Sequence, residues 1–372
     1  MTRVLQDLVA EAEAARVLHI CNACRYCEGF CAVFPAMTRR LTFEPPVVHY
    51  LSNLCHHCGA CLHACQYADP HEFQVNVPRA LARVRAKTYT DFAWPRPLGG
   101  LYARNGLALS VALCLGWAAF LLAAASRQVS IWGSEGVDNF YTVFPHSLMV
   151  AIFLPALMFA VLALALGVRR FWAELPVSGA TAPAVTEAAS HALSLKYLDG
   201  GHGEGCHNED DRWTHQRRRL HHLVFWGFML CLASTSVATF YHYALSWPAP
   251  YGWSTAPKVL GGVGGVAMVV GCVGLLWIRR RRDKAMSDPQ QSSMDVGFVV
   301  LLLIIAASGM ALALARGTAA VPAWLCLHLG SVLAFMLTMP YSKFAHGVFR
   351  SAALLKWAIE RRQPLSLKAV GD

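Results

Sequence analysis

This sequence predicts an all-α chain in two parts, a small cysteine-rich helical domain leading into six membrane-crossing helices. Three observations predict it. Eight of the 13 cysteines fall within the first 65 residues, in two copies of one spacing. Beyond residue 105 come six mostly apolar stretches of about 18–24 residues, the length needed to cross roughly 30 Å of hydrocarbon. The composition, 56% hydrophobic and 15% charged with a mean hydropathy of +0.40, is too apolar for an ordinary soluble protein.

Residues 1–20 carry Asp7, Glu11 and Glu13 inside an apolar pattern and lack the h-region and cleavage site of a secretory signal. They read as an amphipathic helix, so the N-terminal domain is expected in the cytoplasm. The cysteine runs follow as Cys21-x2-Cys24-x2-Cys27-x3-Cys31 and Cys55-x2-Cys58-x2-Cys61-x3-Cys65. Each is the ligand spacing of a bacterial-type [4Fe–4S] centre, and two copies mark a two-cluster ferredoxin, here a helical one spanning 1–90. Three thiolates two residues apart fit one loop around a cube, and the fourth reaches the neighbouring cube. One cluster is therefore assigned Cys21, Cys24, Cys27 and Cys65, the other Cys55, Cys58, Cys61 and Cys31. Neither run is followed by proline, since Ala32 and Gln66 stand there. Zinc and disulfides are the competing readings. Zinc sites do not normally need tandem four-cysteine runs, and a cytoplasmic domain is kept reduced.

Asp91 to Arg104, with Pro95, Pro97 and paired glycines, reads as a linker, 91–105. The six expected spans run near 106–125, 145–168, 221–244, 258–278, 295–315 and 322–344, within a membrane domain of 106–350. A tail of 351–372 follows. Lys and Arg sort to one set of loops. The cysteine-domain side holds Arg79, Arg83, Arg85, Lys87, Arg96, Arg104, Arg169 and Arg170. It also holds Arg217 to Arg219, Arg279 to Arg282, Lys284, Lys343, Arg350, Lys356, Arg361 and Arg362. The opposite loops carry little more than Arg127, Lys258 and Arg316. This bias predicts both termini inside, an inner-membrane protein with the loop 169–220 in the cytoplasm. It also accounts for the net charge of +10 as a topology signal rather than a nucleic-acid surface. Cys114, Cys231, Cys272 and Cys326 lie in apolar runs and read as small buried hydrophobes. In the long loop, His202, Cys206 and His207 could bind a metal or order a docking surface.

Histidine inside a span is costly and points to function. His222 and His242 are 20 residues apart on span three, about 30 Å, and His328 and His346 are 18 apart on span six, about 27 Å. Two helices thus carry histidines at matching heights, suited to axial ligation of haem b between helices. His222 pairs with His346 near the cysteine-domain face. His242 pairs with His328 near the far face, where His146 competes. One haem b is expected, with ligands available for a second. These features give the membrane part a cytochrome b character.

The last five spans resemble the gamma subunit of respiratory nitrate reductase, a di-haem quinol-oxidising cytochrome. Leu327-His328-Leu329, Met339-Pro340-Tyr341-Ser342-Lys343 and His346 are similar to that family's LHL…PFSR…H segment, and His222 matches one family ligand. The family's second ligand on that helix falls at Leu232, which leaves His242 for the outer site. Joined to a tandem-cluster ferredoxin, the whole chain resembles the tricarballylate or citrate utilisation protein B family, including its CobZ-type fusions. ICNACRYCEGFC, the loop GHGEGC with RRRLHH, and STSVATFYHY leading to WPAPY carry that resemblance. It implies a redox subunit rather than the dehydrogenase itself, with no catalytic residue of its own. Electrons would pass from a soluble FAD-dependent tricarballylate dehydrogenase through the clusters and haem to quinone in the lipid. FAD must come from that partner, because Gly261-Gly262 and Gly264-Gly265 sit in an apolar span, not a dinucleotide fingerprint. A second reading, a subunit of a heterodisulfide-reductase-like or quinol-oxidising complex, needs the same cofactors.

Overall fold

In the computed structural model, which describes residues 3–126, 139–288 and 291–365, the described elements are helices joined by turns and loops. Arg127, used above to argue topology, and residues 366–372 of the tail lie outside the described residues. Among those described, the only extended pairing is an isolated antiparallel bridge between Cys206 and Thr214.

Five helices make the N-terminal domain: α1 (Arg3–Cys24), α2 (Val33–Met37), α3 (Pro45–Leu54), α4 (Ala60–His63) and α5 (Val77–Asp91). Proline opens α3 and α5, where the missing N–H is no loss, and Asn76 caps α5 by accepting from the Arg79 amide. Six further helices are long and apolar enough to cross a membrane: α6 (Arg96–Ala125), α7 (His146–Glu174), α9 (Gln216–Ala244), α10 (Ala256–Arg281), α11 (Ser292–Leu314) and α12 (Val321–Thr338). The remaining two are α8 (Ala182–Leu193) and α13 (Ala345–Glu360).

Three segments differ in structure from their sequence reading. Most of the expected linker is helix, since α6 starts at Arg96 and runs into the span with one kink at Asn105 (φ −129°, ψ 29°). The small-residue stretch after α7, part of the expected loop 169–220, forms α8. Thr181 caps it by accepting from the Ala184 amide, and its apolar face packs on α13. Span six stops at Thr338, and after a turn the chain re-enters helix as α13, which packs on α3, α7 and α8.

A single apolar core therefore joins the two parts. Ala14 and Leu18 of α1, Leu51 of α3 and Leu81 of α5 are continuous with Phe171 of α7, Met294 of α11, and Phe349, Leu354 and Trp357 of α13. Lys356 is fully buried in this floor and donates to the carbonyls of Phe171, Trp172 and Leu175 at the end of α7. A cation there satisfies the carbonyls that a helix C-terminus leaves free.

Within the bundle, α9 and α10 meet at Gly227 and Gly264. A Cβ on either glycine would stand 2.8 Å or 2.7 Å from the other's carbonyl oxygen, so only glycine permits this approach. On α10, Val259, Val263, Val266, Val270 and Val273 form an exposed stripe at helical spacing, the face available to lipid. Cys114, Cys272 and Cys326 are buried among apolar side chains, and Cys231 is half-buried.

Candidate cofactor sites

The C-terminal end of α1 presents Cys21 and Cys24, the turn after it presents Cys27, and the segment after α4 supplies Cys65. These four line one cavity of about 220 Å³, walled by Ile20, Phe34, Tyr67, Val75 and Val77. Cys31, Cys55, Cys58 and Cys61 line a second, narrower cavity of about 20 Å³ with Phe30, Val33, His56 and His57. Cys61 and Phe34 border both, so the cavities adjoin. The fourth cysteine of each run thus lies with the first three of the other. Among the described residues no three His, Cys, Asp or Glu side chains are placed to hold a single metal ion. The sulfurs surround spaces rather than converge on points.

An all-sulfur donor set suits iron–sulfur chemistry, and the first cavity is roomy enough for a cluster. Burial and the neighbouring thiols push the Cys21 and Cys27 thiols up to about 12. Four thiolates would repel in so apolar a ring, and cations among them supply the missing charge. Beside the second ring Cys58 shares a hydrogen bond with Cys206, which holds the Cys206 thiol low and the Cys58 thiol high.

The second ring is held in place from four directions. Arg85 of α5 donates to the carbonyls of Ser52 (3.2 Å) and Cys55 (3.0 Å). Arg350 of α13 also donates to Cys55 O at 2.9 Å. Arg217 of α9 donates to His56 O (2.9 Å) and His57 O (2.8 Å), and Arg282, just beyond α10, to His57 O (2.9 Å). His56 and His57 stay neutral, because burial and then the nearest arginines, Arg350 and Arg282, push both well below the usual imidazole range.

The glycine-rich loop closes over this ring. His207 N donates to Cys58 O at 3.1 Å, and the fully buried Cys206 Sγ donates to Leu198 O at 3.1 Å. His202 meets Phe30 edge-on, ring centres 5.4 Å apart, while His207 stacks on His63 at 4.4 Å and His63 bonds Asp211 at 2.7 Å. His202, Cys206 and His207 therefore face three different partners and do not form one site.

The histidines sort differently from the height-matched pairs. Facing His346 is His221, ring centres 6.0 Å apart and planes at 74°. His222, one residue on, lies beside the Ser194 backbone instead. Two imidazoles bound on opposite sides of one ion at ~2.0–2.1 Å per bond have ring centres roughly 6 Å apart, so the first pair has the right separation for axial ligands. His346 bonds Lys343 O through Nδ1, which leaves Nε2 for a metal, and the buried Nδ1 of His221 has no partner. His221 was visible in sequence, but height alone could not separate it from its neighbour. At the far face His242 stacks on His146 at 4.1 Å and 13°, beside Tyr141 and Tyr243. That spacing is too short for an ion between the rings. His328 is turned instead into α11, 3.2 Å from Ser308 Oγ and from Ile305 O. His242 and His328 are not brought together.

Residues 101–366 match the family model described as Citrate utilization protein B, and residues 14–91 match that of the Citrate utilization protein B Fer4-like domain. The Citrate utilization protein B of Escherichia coli is 49% identical over 362 residues, covering 97% of this chain and 96% of that protein. No solved structure matches.

Proposed function

The chain belongs to the citrate utilization protein B family, its Fer4-like domain points to an iron–sulfur electron-transfer role, and from that premise we propose a transmembrane electron conduit. Electrons enter from a soluble FAD-dependent tricarballylate dehydrogenase. They pass through two [4Fe–4S] clusters to haem b and leave to quinone in the inner membrane. When bound, these groups supply one-electron redox chemistry, and the protein supplies spacing, burial and hydrogen bonds. Cys21, Cys24, Cys27 and Cys65 would hold the outer cluster, and Cys31, Cys55, Cys58 and Cys61 the inner. His221 and His346 would hold the haem nearest the domain.

One observation carries this reading. The inner cysteine ring and the histidine pair share a helix: α13 begins beside His346, and one turn on, Arg350 bonds the Cys55 carbonyl. A ring of thiols and a pair of imidazoles so joined through one helix support transfer from a cluster to a haem.

The test is anaerobic purification with haem, iron and acid-labile sulfide quantified, then reduction followed at the haem absorption bands. Two clusters require about eight non-haem irons per chain. Dithionite should reduce the haem in wild-type protein, and an added quinone should reoxidise it. Stoichiometric zinc without sulfide, or haem that quinone leaves reduced, would overturn the proposal.

A further inference from the structure

We infer that Arg85, Arg217, Arg282 and Arg350 make the inner cysteine ring the more readily reduced of the two, so that an electron entering at the outer ring is drawn toward the membrane. This deepens the conduit reading and rests on both rings holding clusters.

The four guanidiniums arrive from four separate parts of the chain and end on consecutive carbonyls of the loop that carries Cys55 and Cys58. Arg85 is 2% exposed. No carboxylate within ion-pair distance neutralises any of the four among the described residues, whereas Arg40, Arg96, Arg279 and Arg281 each have such a partner. Each of the four also keeps one buried nitrogen without a hydrogen-bond partner: Nε of Arg85, Arg282 and Arg350, and Nη1 of Arg217. Buried charge of this kind is costly unless an anion faces it. A cluster carried by four thiolates is such an anion, and it becomes more negative when reduced. The outer ring has nothing comparable: the guanidinium of exposed Arg25 bonds Asn22 O at 3.1 Å, and the ring opens toward solvent beside exposed Tyr26.

Reduction potential follows net charge, hydrogen bonding and exposure around a cluster. Fixed positive charge in a poorly screened site stabilises an added electron more than mobile solvent does around an exposed one. The step moves one electron: the outer cluster is oxidised, the inner is reduced, and no bond or proton changes place. The reductant is the reduced flavin of the partner, replaced in the test by dithionite.

The experiment is an anaerobic redox titration of the full chain followed by electron paramagnetic resonance. Cys21→Ser and Cys55→Ser identify which signal belongs to which ring. The higher-potential signal should be the one that Cys55→Ser removes. Arg217→Gln should shift that centre's one-electron equilibrium at least tenfold toward the oxidised form, about 59 mV, and leave the other unmoved. Arg217→Lys, which keeps the charge, should stay close to wild type. The inference is overturned if Cys21→Ser removes the higher-potential signal, or if Arg217→Gln moves both centres equally or neither. Should the glutamine variant fail to assemble, the order of potentials in the wild type still decides. Wild-type protein lacking acid-labile sulfide would instead overturn the cluster reading itself, and the inference with it.

Discussion

At the scale of single residues, adjacent histidines have opposite fates. His221 faces His346, and His222 faces the Ser194 backbone. His221→Ala and His346→Ala should each abolish the inner haem's absorption bands while the clusters persist. His222→Ala should leave those bands intact. An intact spectrum in either inner-pair variant would move the site elsewhere. A second residue-scale prediction concerns His49, which bonds Glu11 and Glu174 at 2.7 Å each and so ties α3 to α1 and α7. Burial lowers its affinity for a proton, but the two carboxylates outweigh that and raise the net value above the ordinary one. A raised folded-state value means the tie is fully made below about pH 6.5 and is lost as pH climbs through the folded value. Thermal stability should fall over that window. His49→Ala should flatten the dependence and cost about 2 kcal/mol at acidic pH, measured by denaturant unfolding of the reduced, detergent-solubilised protein. The two cysteine runs are legible in sequence because their spacing is local. The arginine partners are not, because Cys55 and Arg350 stand 295 residues apart and nothing short-range links them.

At the scale of elements, the α9–α10 crossing sets where His221 stands. Gly264→Leu would drive a side chain into the Gly227 carbonyl, an overpacking cost of about 1–3 kcal/mol that α9 relieves by moving away. Haem per chain should drop while acid-labile sulfide stays constant, read by parallel assays on one preparation. Equal loss of both would mean that the bundle as a whole had failed. The six apolar helices were readable from hydropathy, since length and composition suffice. Helix α8 was not, because it is held by tertiary partners: Glu187 takes Arg361 and Arg362 at 2.7 Å each from beyond α13. The end of span six at Thr338 was hidden for a related reason, as the apolar pattern continues through Phe344 while the backbone turns.

At the scale of the whole molecule, α1 and α13 share one core at one end of the bundle, which fits an even number of crossings. With the basic residues at that end, a reporter fused after Asp372 should be cytoplasmic, and one inserted near Asn139 periplasmic. A periplasmic C-terminal reporter would refute the six-span count. The shared core also bears on biosynthesis. The loop bearing Cys55 and Cys58 leaves the ribosome well before two of the guanidiniums that grip it, Arg282 and Arg350. At about 5–20 residues per second, Arg350 follows Cys58 by roughly 15–60 s. Through that interval the inner thiols have Arg85 but lack their late anchors, while the outer ring, which draws only on residues up to Val77, already has all of its parts. Iron–sulfur assembly should therefore proceed outer ring first, and the inner centre should be filled only after α13 has been made and has folded back onto the domain. A chain cut before Ala345 should accordingly retain the outer centre in far higher yield than the inner.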